Sequence, residues 1–401
     1  MKKILLPLTA LAVGVICAAL LLWMWTQDRE DSRRLRAVRT QPAMAAALAP
    51  APAAVEVSRD AFTRSLLAAL EQLLTRADIR AKEGLLTFKD EAAYRRFLAR
   101  AQKVGLTILG QLDALRAVRV RYDSLAALRG DVLANAEDYA GVSGNYVMTI
   151  PGPPAKDDRA AIAGVPFGNR ALEFLGVDLA SPARATWGQG VTIAILDTGI
   201  VRDTTFGDYR VRTLDIGLGS IAGNGSEDGH GTAVASLAAG ASRDAPGVAP
   251  AANLLSIRVT DANGTSDLFT VAQAILAATD AGAKVINISL GGYATSGALD
   301  AAIGYATAHG AVIVAAAGND QAAQLAWPAA DPRVVSVGAV DAAEQQVTFS
   351  NSGAQLQITA PGYGVQTAWL DGQRVTVDGT SASSPIVAGA IAAVQIGRAH
   401  V

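Results

Sequence analysis

A single cysteine, Cys17, in 401 residues excludes an intrachain disulfide and a cysteine-rich metal site. It leaves the redox compartment open, because an exported protein can do without disulfides. A charge imbalance is also missing. The 34 Lys and Arg against 36 Asp and Glu give a formal net charge of −2, which excludes a polybasic nucleic-acid binder. Disorder of the whole chain is excluded too, since 51% of the residues are hydrophobic. What is present is length for two or three domains and a sizeable core. Residues 26–140 carry 19 basic and 15 acidic side chains, whereas residues 171–395 carry 9 and 19, so the two parts are expected to do different jobs.

Lys2 and Lys3 precede a 22-residue apolar run from Ile4 to Trp25. A secretory core is ~7–15 residues and a bilayer span needs about 20, so length points to a signal anchor over 1–27, with a cleaved signal peptide as the rival. Trp23 and Trp25 would then sit at an interface. The five arginines between Arg29 and Arg39 argue for the opposite orientation by the positive-inside rule. Export, anchored or secreted, is nonetheless the expectation, because the chemistry below suits an exterior location. Residues 28–81 read as an Ala/Pro linker followed by an amphipathic packing or spacer helix with Phe62, Leu66, Leu67, Leu70, Leu73 and Leu74 on one side.

Residues 82–150 are more specific. Leu85–Phe88, Leu106–Leu109, Val118–Tyr122 and Asn145–Ile150 read as strands, with helices capped by Asp90 and starting near Ser124. That order, βαββαβ, is the split arrangement of a small ferredoxin-like α+β domain. Pro151, Pro153 and Pro154 end it, and 151–170 reads as a linker.

From Val191 the pattern changes. Val191–Leu196 is a continuous apolar strand, as in sheets buried on both faces, and Leu254–Val259, Val285–Ser289, Val312–Ala316 and Val334–Val337 repeat it. Helical stretches at 231–239, 270–281 and 298–309 alternate with them, which predicts an α/β domain with a mostly parallel sheet and helices on both faces. His309, followed by Gly310, is expected to end a helix rather than to do chemistry.

Three motifs sit at element ends here: Asp197-Thr198-Gly199 after the first strand, His230-Gly231-Thr232 opening a helix, and Gly379-Thr380-Ser381 opening another. Each alone has a plainer reading as a cap or turn. Together they place an acid, an imidazole 33 residues on, and a hydroxyl 151 residues further, in one α/β section. A serine hydroxyl is a poor nucleophile without an adjacent base, and an imidazole needs a partner to fix its tautomer. Two other readings stay open. One is a catalytically weak or inactive peptide-binding protein using the same groove. The other is an aspartic protease on Asp197, which would need a second such carboxylate site.

With Ser289-Leu290-Gly291 and Ala316-Ala317-Gly318-Asn319 added, residues 187–395 resemble the subtilisin-like serine proteases (subtilases). The resemblance implies a serine endopeptidase acting through Asp197, His230 and Ser381, with the Asn319 side chain and the Ser381 N–H as oxyanion donors. It also implies a zymogen whose 82–150 segment is similar to an inhibitory prodomain, processed between about Ile150 and Arg170. Substrate binding is placed on Ser289, Leu290 and Gly291, on Ala317 and Gly318, and on the opposing edge at Gly264. With no charged residue evident at the pocket base, the expected preference is for medium or large apolar side chains.

Loops in that family often hold calcium. The clustered acids Asp203, Asp208, Asp215, Asp261 and Asp267 fit no spaced loop motif, so a solvated acidic face is expected, with no metal ligands and no cofactor required. The expected partners are polypeptide substrates, the chain's own prodomain and, through the N-terminal segment, a membrane. Two departures stand out. Ala382-Ser383 follows the serine where Met-Ala is usual. Residues 396–401 read as a non-native tail, which leaves the peptidase section 171–395 C-terminally truncated.

Overall fold

The computed structural model describes residues 59–151, 164–202, 204–207, 210–219 and 229–395. The expected anchor or signal, most of the 28–81 and 151–170 linkers, Asp203, Asp208 and the 396–401 tail lie outside the described residues. Among the described residues no helix is long and apolar enough to cross a membrane.

The first domain is built from helix α1 (Arg59–Thr75), β1 (Ile79–Phe88), α2 (Glu91–Arg100), β2 (Leu106–Leu112), β3 (Ala117–Tyr122), α3 (Leu125–Ala134) and β4 (Tyr139–Thr149). The strands pair antiparallel in the order β2-β3-β1-β4, giving the expected βαββαβ layout. Asp90 caps α2 by accepting from Ala93 N at 2.8 Å. The first and last of these strands begin earlier than the hydrophobic pattern suggests. Ile79 pairs with Tyr146, and Glu83 is held by Arg119 at 2.8 and 3.0 Å, so polar residues fit inside β1. Helix α1 packs onto this sheet, with Leu66 and Leu70 buried beside Phe97 and Val120.

The second domain holds seven parallel strands in the order β12-β11-β10-β9-β5-β7-β6. These are β5 (Thr192–Asp197), β6 (Val211–Thr213), β7 (Asn253–Arg258), β9 (Val285–Ile288), β10 (Val312–Ala316), β11 (Val335–Val340) and β12 (Ile358–Pro361). β5, β9, β10 and β11 are mostly Val, Ile, Leu and Ala, because both faces are covered. On one face lie α4 (His230–Ala239) and α7 (Thr380–Gln395). On the other lie α5 (Leu268–Asp280) and α6 (Gly297–Ala308). The short β8 (Thr265–Asp267) and the hairpin of β13 (Val365–Ala368) with β14 (Arg374–Val377) stand outside this sheet. His309 caps α6 as expected, and Gly310 follows at φ +73°.

The two domains share a core. The open face of the small sheet packs Leu85, Leu112, Leu115 and Met148 against Leu268, Phe269, Leu299 and Ile303 of α5 and α6. A Cβ at Gly110 would lie 2.7 Å from the Phe269 ring, and one at Gly297 would lie 2.8 Å from the Thr87 hydroxyl. Asn145 joins the domains through polar atoms. Its amide donates to Glu83 at 2.9 Å, and its Oδ1 accepts from Phe269 N at 3.2 Å in the first turn of α5.

Candidate active site

Addition to the sheet proceeds in opposite directions from β5, with β7 on one side and β9 on the other. The carboxyl ends of β5 and β9 therefore form a switch-point crevice. Asp197 ends β5, Ser289 follows β9, and Ala317–Asn319 follow β10. Asp197 is fully buried; its Oδ1 accepts from Thr198 N at 2.8 Å and lies 2.8 Å from Nδ1 of His230. The His230 helix reaches this loop because residue 231 is glycine: a Cβ there would lie 2.3 Å from Gly199 O. Gly231 N also donates to Thr198 Oγ1 at 2.9 Å, which fixes the start of α4 against the Asp197 loop.

Helices α4 and α7 touch where a Cβ on Gly389 would lie 2.5 Å from Ala238 O. Eight residues back along each helix stand His230 and Ser381. Both are nearly buried, at 9% and 7% exposure, and Asp197 is wholly buried. Asn319 Oδ1 accepts from Thr380 N at 2.9 Å and Thr380 Oγ1 at 2.8 Å, so its Nδ2 faces the other way. That Nδ2 is buried without a hydrogen-bond partner. A Cβ on Gly379, at φ +144°, would lie 2.8 Å from Asn319 Nδ2 and 3.0 Å from Ser381 Oγ. The amide donor and the hydroxyl therefore flank one small space, where an oxyanion could sit.

The end of β4 lies in the crevice between two edges. On one side it pairs antiparallel with β8, and Ile150 N donates to Gly264 O at 2.9 Å. On the other, Thr149 and Gly291 exchange both backbone bonds, at 2.9 and 3.0 Å. Beyond it opens a cavity of about 400 Å³, whose walls include Pro151, Leu290, Gly291, Gly292, Tyr293, Ala316, Gly318 and Asp320.

Leu290, Gly291 and Gly318 line the cavity and Gly264 stands on the opposing edge, whereas the side chains of Ser289 and Ala317 are buried outside that lining. Ser289 is fully buried and its hydroxyl ties to α7, 3.3 Å from Ser381 O and 3.0 Å from Ser384 Oγ. Ala317 is likewise buried, because its backbone bonds Val337 and Ala326. The cavity is not free of charge either. Asp320 lines it and accepts a hydrogen bond from Tyr293, and Asp78 of the small domain lines it as well. Partial burial, then the Asp320 carboxylate, push the Tyr293 phenol up to about 12.

Asn351 escaped the sequence reading, since it lies outside every motif. It is fully buried and organises the loop that carries Asn319. Its Oδ1 accepts from Asp320 N and Ala322 N at 2.9 and 3.0 Å; its Nδ2 donates to Tyr293 Oη at 2.7 Å and Ala317 O at 3.1 Å.

The suspected acidic groups are engaged locally. Asp215 Oδ1 accepts from Gly217, Leu218 and Gly219 N, and Asp261 Oδ1 from Asn263 and Thr265 N. Asp267 caps α5 and faces Arg80 and Arg119. Among the described residues no group of three or more His, Cys, Asp or Glu is placed to hold a metal ion.

Strand-end acid, helix-start imidazole and helix-start hydroxyl define the setting of a serine hydrolase. Residues 188–399 match the Subtilase family. The chain is 37% identical to subtilisin Savinase of Lederbergia lenta over 217 residues, 53% of this chain and 78% of that protein. It is 36% identical to alkaline elastase YaB of Bacillus sp. (strain YaB) over 218 residues, 53% of this chain and 56% of that one. The fold also resembles fervidolysin from Fervidobacterium pennivorans, with a TM-score of 0.67 and 24% identity over 81% of this chain and 56% of that chain. The chain belongs to the subtilase family and is a subtilisin-like serine protease.

Proposed function

We propose that the chain is an endopeptidase that cuts polypeptides through an acyl-enzyme on Ser381, and that it is made as a zymogen. His230 takes the Ser381 proton as Oγ attacks the scissile carbonyl, and returns it to the leaving amine. Asp197 fixes the tautomer through Nδ1 and stabilises the imidazolium. The oxyanion is met by Asn319 Nδ2 and the Ser381 N–H, the latter at a helix N-terminus where negative charge is favoured. Water then repeats the sequence on the ester. The observation that carries this reading is the buried, unpartnered Nδ2 of Asn319 beside Ser381. No metal or cofactor is needed for these steps.

Substrate binds as an added strand between Gly264 and Gly291, where backbone bonds give affinity and the cavity gives selectivity. The end of β4 fills that place, which supports the small domain as the intramolecular inhibitor. A basic small domain against an acidic peptidase domain is consistent with it. An extracytoplasmic location, secreted or anchored through the N-terminal apolar run, suits such an enzyme. Fluorophosphonate labelling of the chain and of Ser381→Ala, read by intact mass, tests the proposal. Labelling that depends on Ser381 supports it; a chain that binds peptide in the cleft yet never labels would be a binding protein instead.

A further inference from the structure

We propose that Pro151–Gly152 is the bond this chain presents to its own Ser381, and that the proline makes it a bound but slowly cut bond. The inference rests on the endopeptidase reading above. Thr149 exchanges both backbone bonds with Gly291, and Ile150 N donates to Gly264 O on the opposite edge. An antiparallel ladder repeats every second residue, so the next rung beyond Thr149–Gly291 pairs residue 151 with Ser289. Pro151 lines the cavity from the β4 side, opposite Leu290, Gly292 and Gly318. Ser289 lies against Ser381, its hydroxyl 3.3 Å from Ser381 O, so the carbonyl of the residue paired with it, Pro151, is the one carried to the Asn319–Ser381 space.

Cutting there would form a bond from Ser381 Oγ to the Pro151 carbonyl carbon and break the bond to Gly152 N. The Ser381 proton passes through His230 to the Gly152 amine. Water then releases the Pro151 carboxylate and restores the hydroxyl. Proline works against this step in two ways. It has no N–H, so the rung to the Ser289 carbonyl cannot form, and its φ is held near −65° where a ladder strand prefers about −140°. Both loosen the carbonyl at the position where alignment sets the rate; a misplacement of about 1 Å costs ~10²-fold. The same tail that binds as substrate thereby holds the cleft closed. A plainer role for Pro151, ending β4, would affect stability and leave the cutting rate unmoved.

The test compares the full chain with Pro151→Ala, Pro151→Leu and the double variant Pro151→Ala/Ser381→Ala. Intact mass is followed over time, with fluorophosphonate labelling and thermal melting alongside. The proposal expects Pro151→Ala and Pro151→Leu to be cut after residue 151 about tenfold or more faster than the parent at similar melting temperature, and the double variant to stay whole. It is overturned if the parent is cut after Pro151 as fast as the variants, or if the variants label at Ser381 yet are first cut at another bond. If neither parent nor variants label, the endopeptidase reading itself fails and this inference falls with it.

Discussion

The Asn319 side chain is aimed by Thr380, whose backbone N–H and hydroxyl both donate to Asn319 Oδ1, at 2.9 and 2.8 Å. That leaves Nδ2 buried, unpartnered and turned to the space beside Ser381. Asn319→Ala should lower kcat by about 10²–10³ with little change in KM, the size of the effect known for loss of the oxyanion amide in a subtilisin. Thr380→Val keeps the backbone bond and loses the hydroxyl, so a smaller fall of about three- to tenfold is expected. Steady-state kinetics on one peptide check both. An equal loss in the two variants would mean that the amide is useless unless the Thr380 hydroxyl aims it, and an unchanged kcat in Asn319→Ala would remove Asn319 from the oxyanion site.

Asn351 should behave as a positioning residue. Its side chain makes four hydrogen bonds to Tyr293, Ala317, Asp320 and Ala322, and none to Asn319 or Ser381. Asn351→Ala leaves buried backbone groups unpaired, at a cost of about 1–3 kcal/mol, and frees the loop bearing Asn319. Both melting temperature and kcat should fall, and Asn351→Asp, which keeps the acceptor, should recover part of the kcat. A lowered melting temperature with unchanged kcat would limit Asn351 to a structural role.

The candidate constellation was legible because its members sit at strand and helix ends with small, recognisable neighbours. Asp197, His230, Asn319 and Ser381 all fall at one crevice. The split βαββαβ layout was legible for a similar reason, since Phe97, Val120 and Leu128 keep their periods. Side-chain facing was not. Ser289 lies one residue before a cleft residue, yet its hydroxyl bonds α7, and no pattern in the Ser-Leu-Gly run tells the two cases apart. The pocket's charge was missed because Asp320 and Tyr293 come from different segments and meet only in the fold. Strands β8, β13 and β14 are three or four residues long, too short to show an alternation.

Under the inhibition proposed above, Asn145 should report on how tightly the small domain holds the peptidase domain. It bridges Glu83 and the first turn of α5, and it is fully buried. Asn145→Ala leaves both partners short of a bond, so inhibition should weaken by about five- to fiftyfold, seen as earlier activity from the full chain. Arg80 and Arg119 face Asp267 at 3.5 and 3.7 Å and are partly exposed, so raising salt should weaken inhibition further. Inhibition that is indifferent to both changes would mean that the apolar contact alone holds the domains together.

Asp320 gives the cavity a negative rim, so peptides with Lys or Arg at the cut position should be accepted beside apolar ones. Asp320 is exposed, so the ion pair is worth little, and Asp320→Ala should shift the Arg-over-Leu ratio in kcat/KM by only about two- to fivefold. Tyr293 donates to this carboxylate, and partial burial together with Asp320 pushes the phenol up to about 12. A pKa raised by folding stabilises the fold below the ordinary value near 10 and loses that contribution as pH climbs through the raised one. The Arg-over-Leu ratio should therefore be flat from about pH 8 to pH 10, and should change only as the phenol ionises near pH 12. Peptide cleavage measured across that range decides it: a ratio already shifting by pH 10 would mean that Tyr293 ionises at its ordinary value and does not hold Asp320.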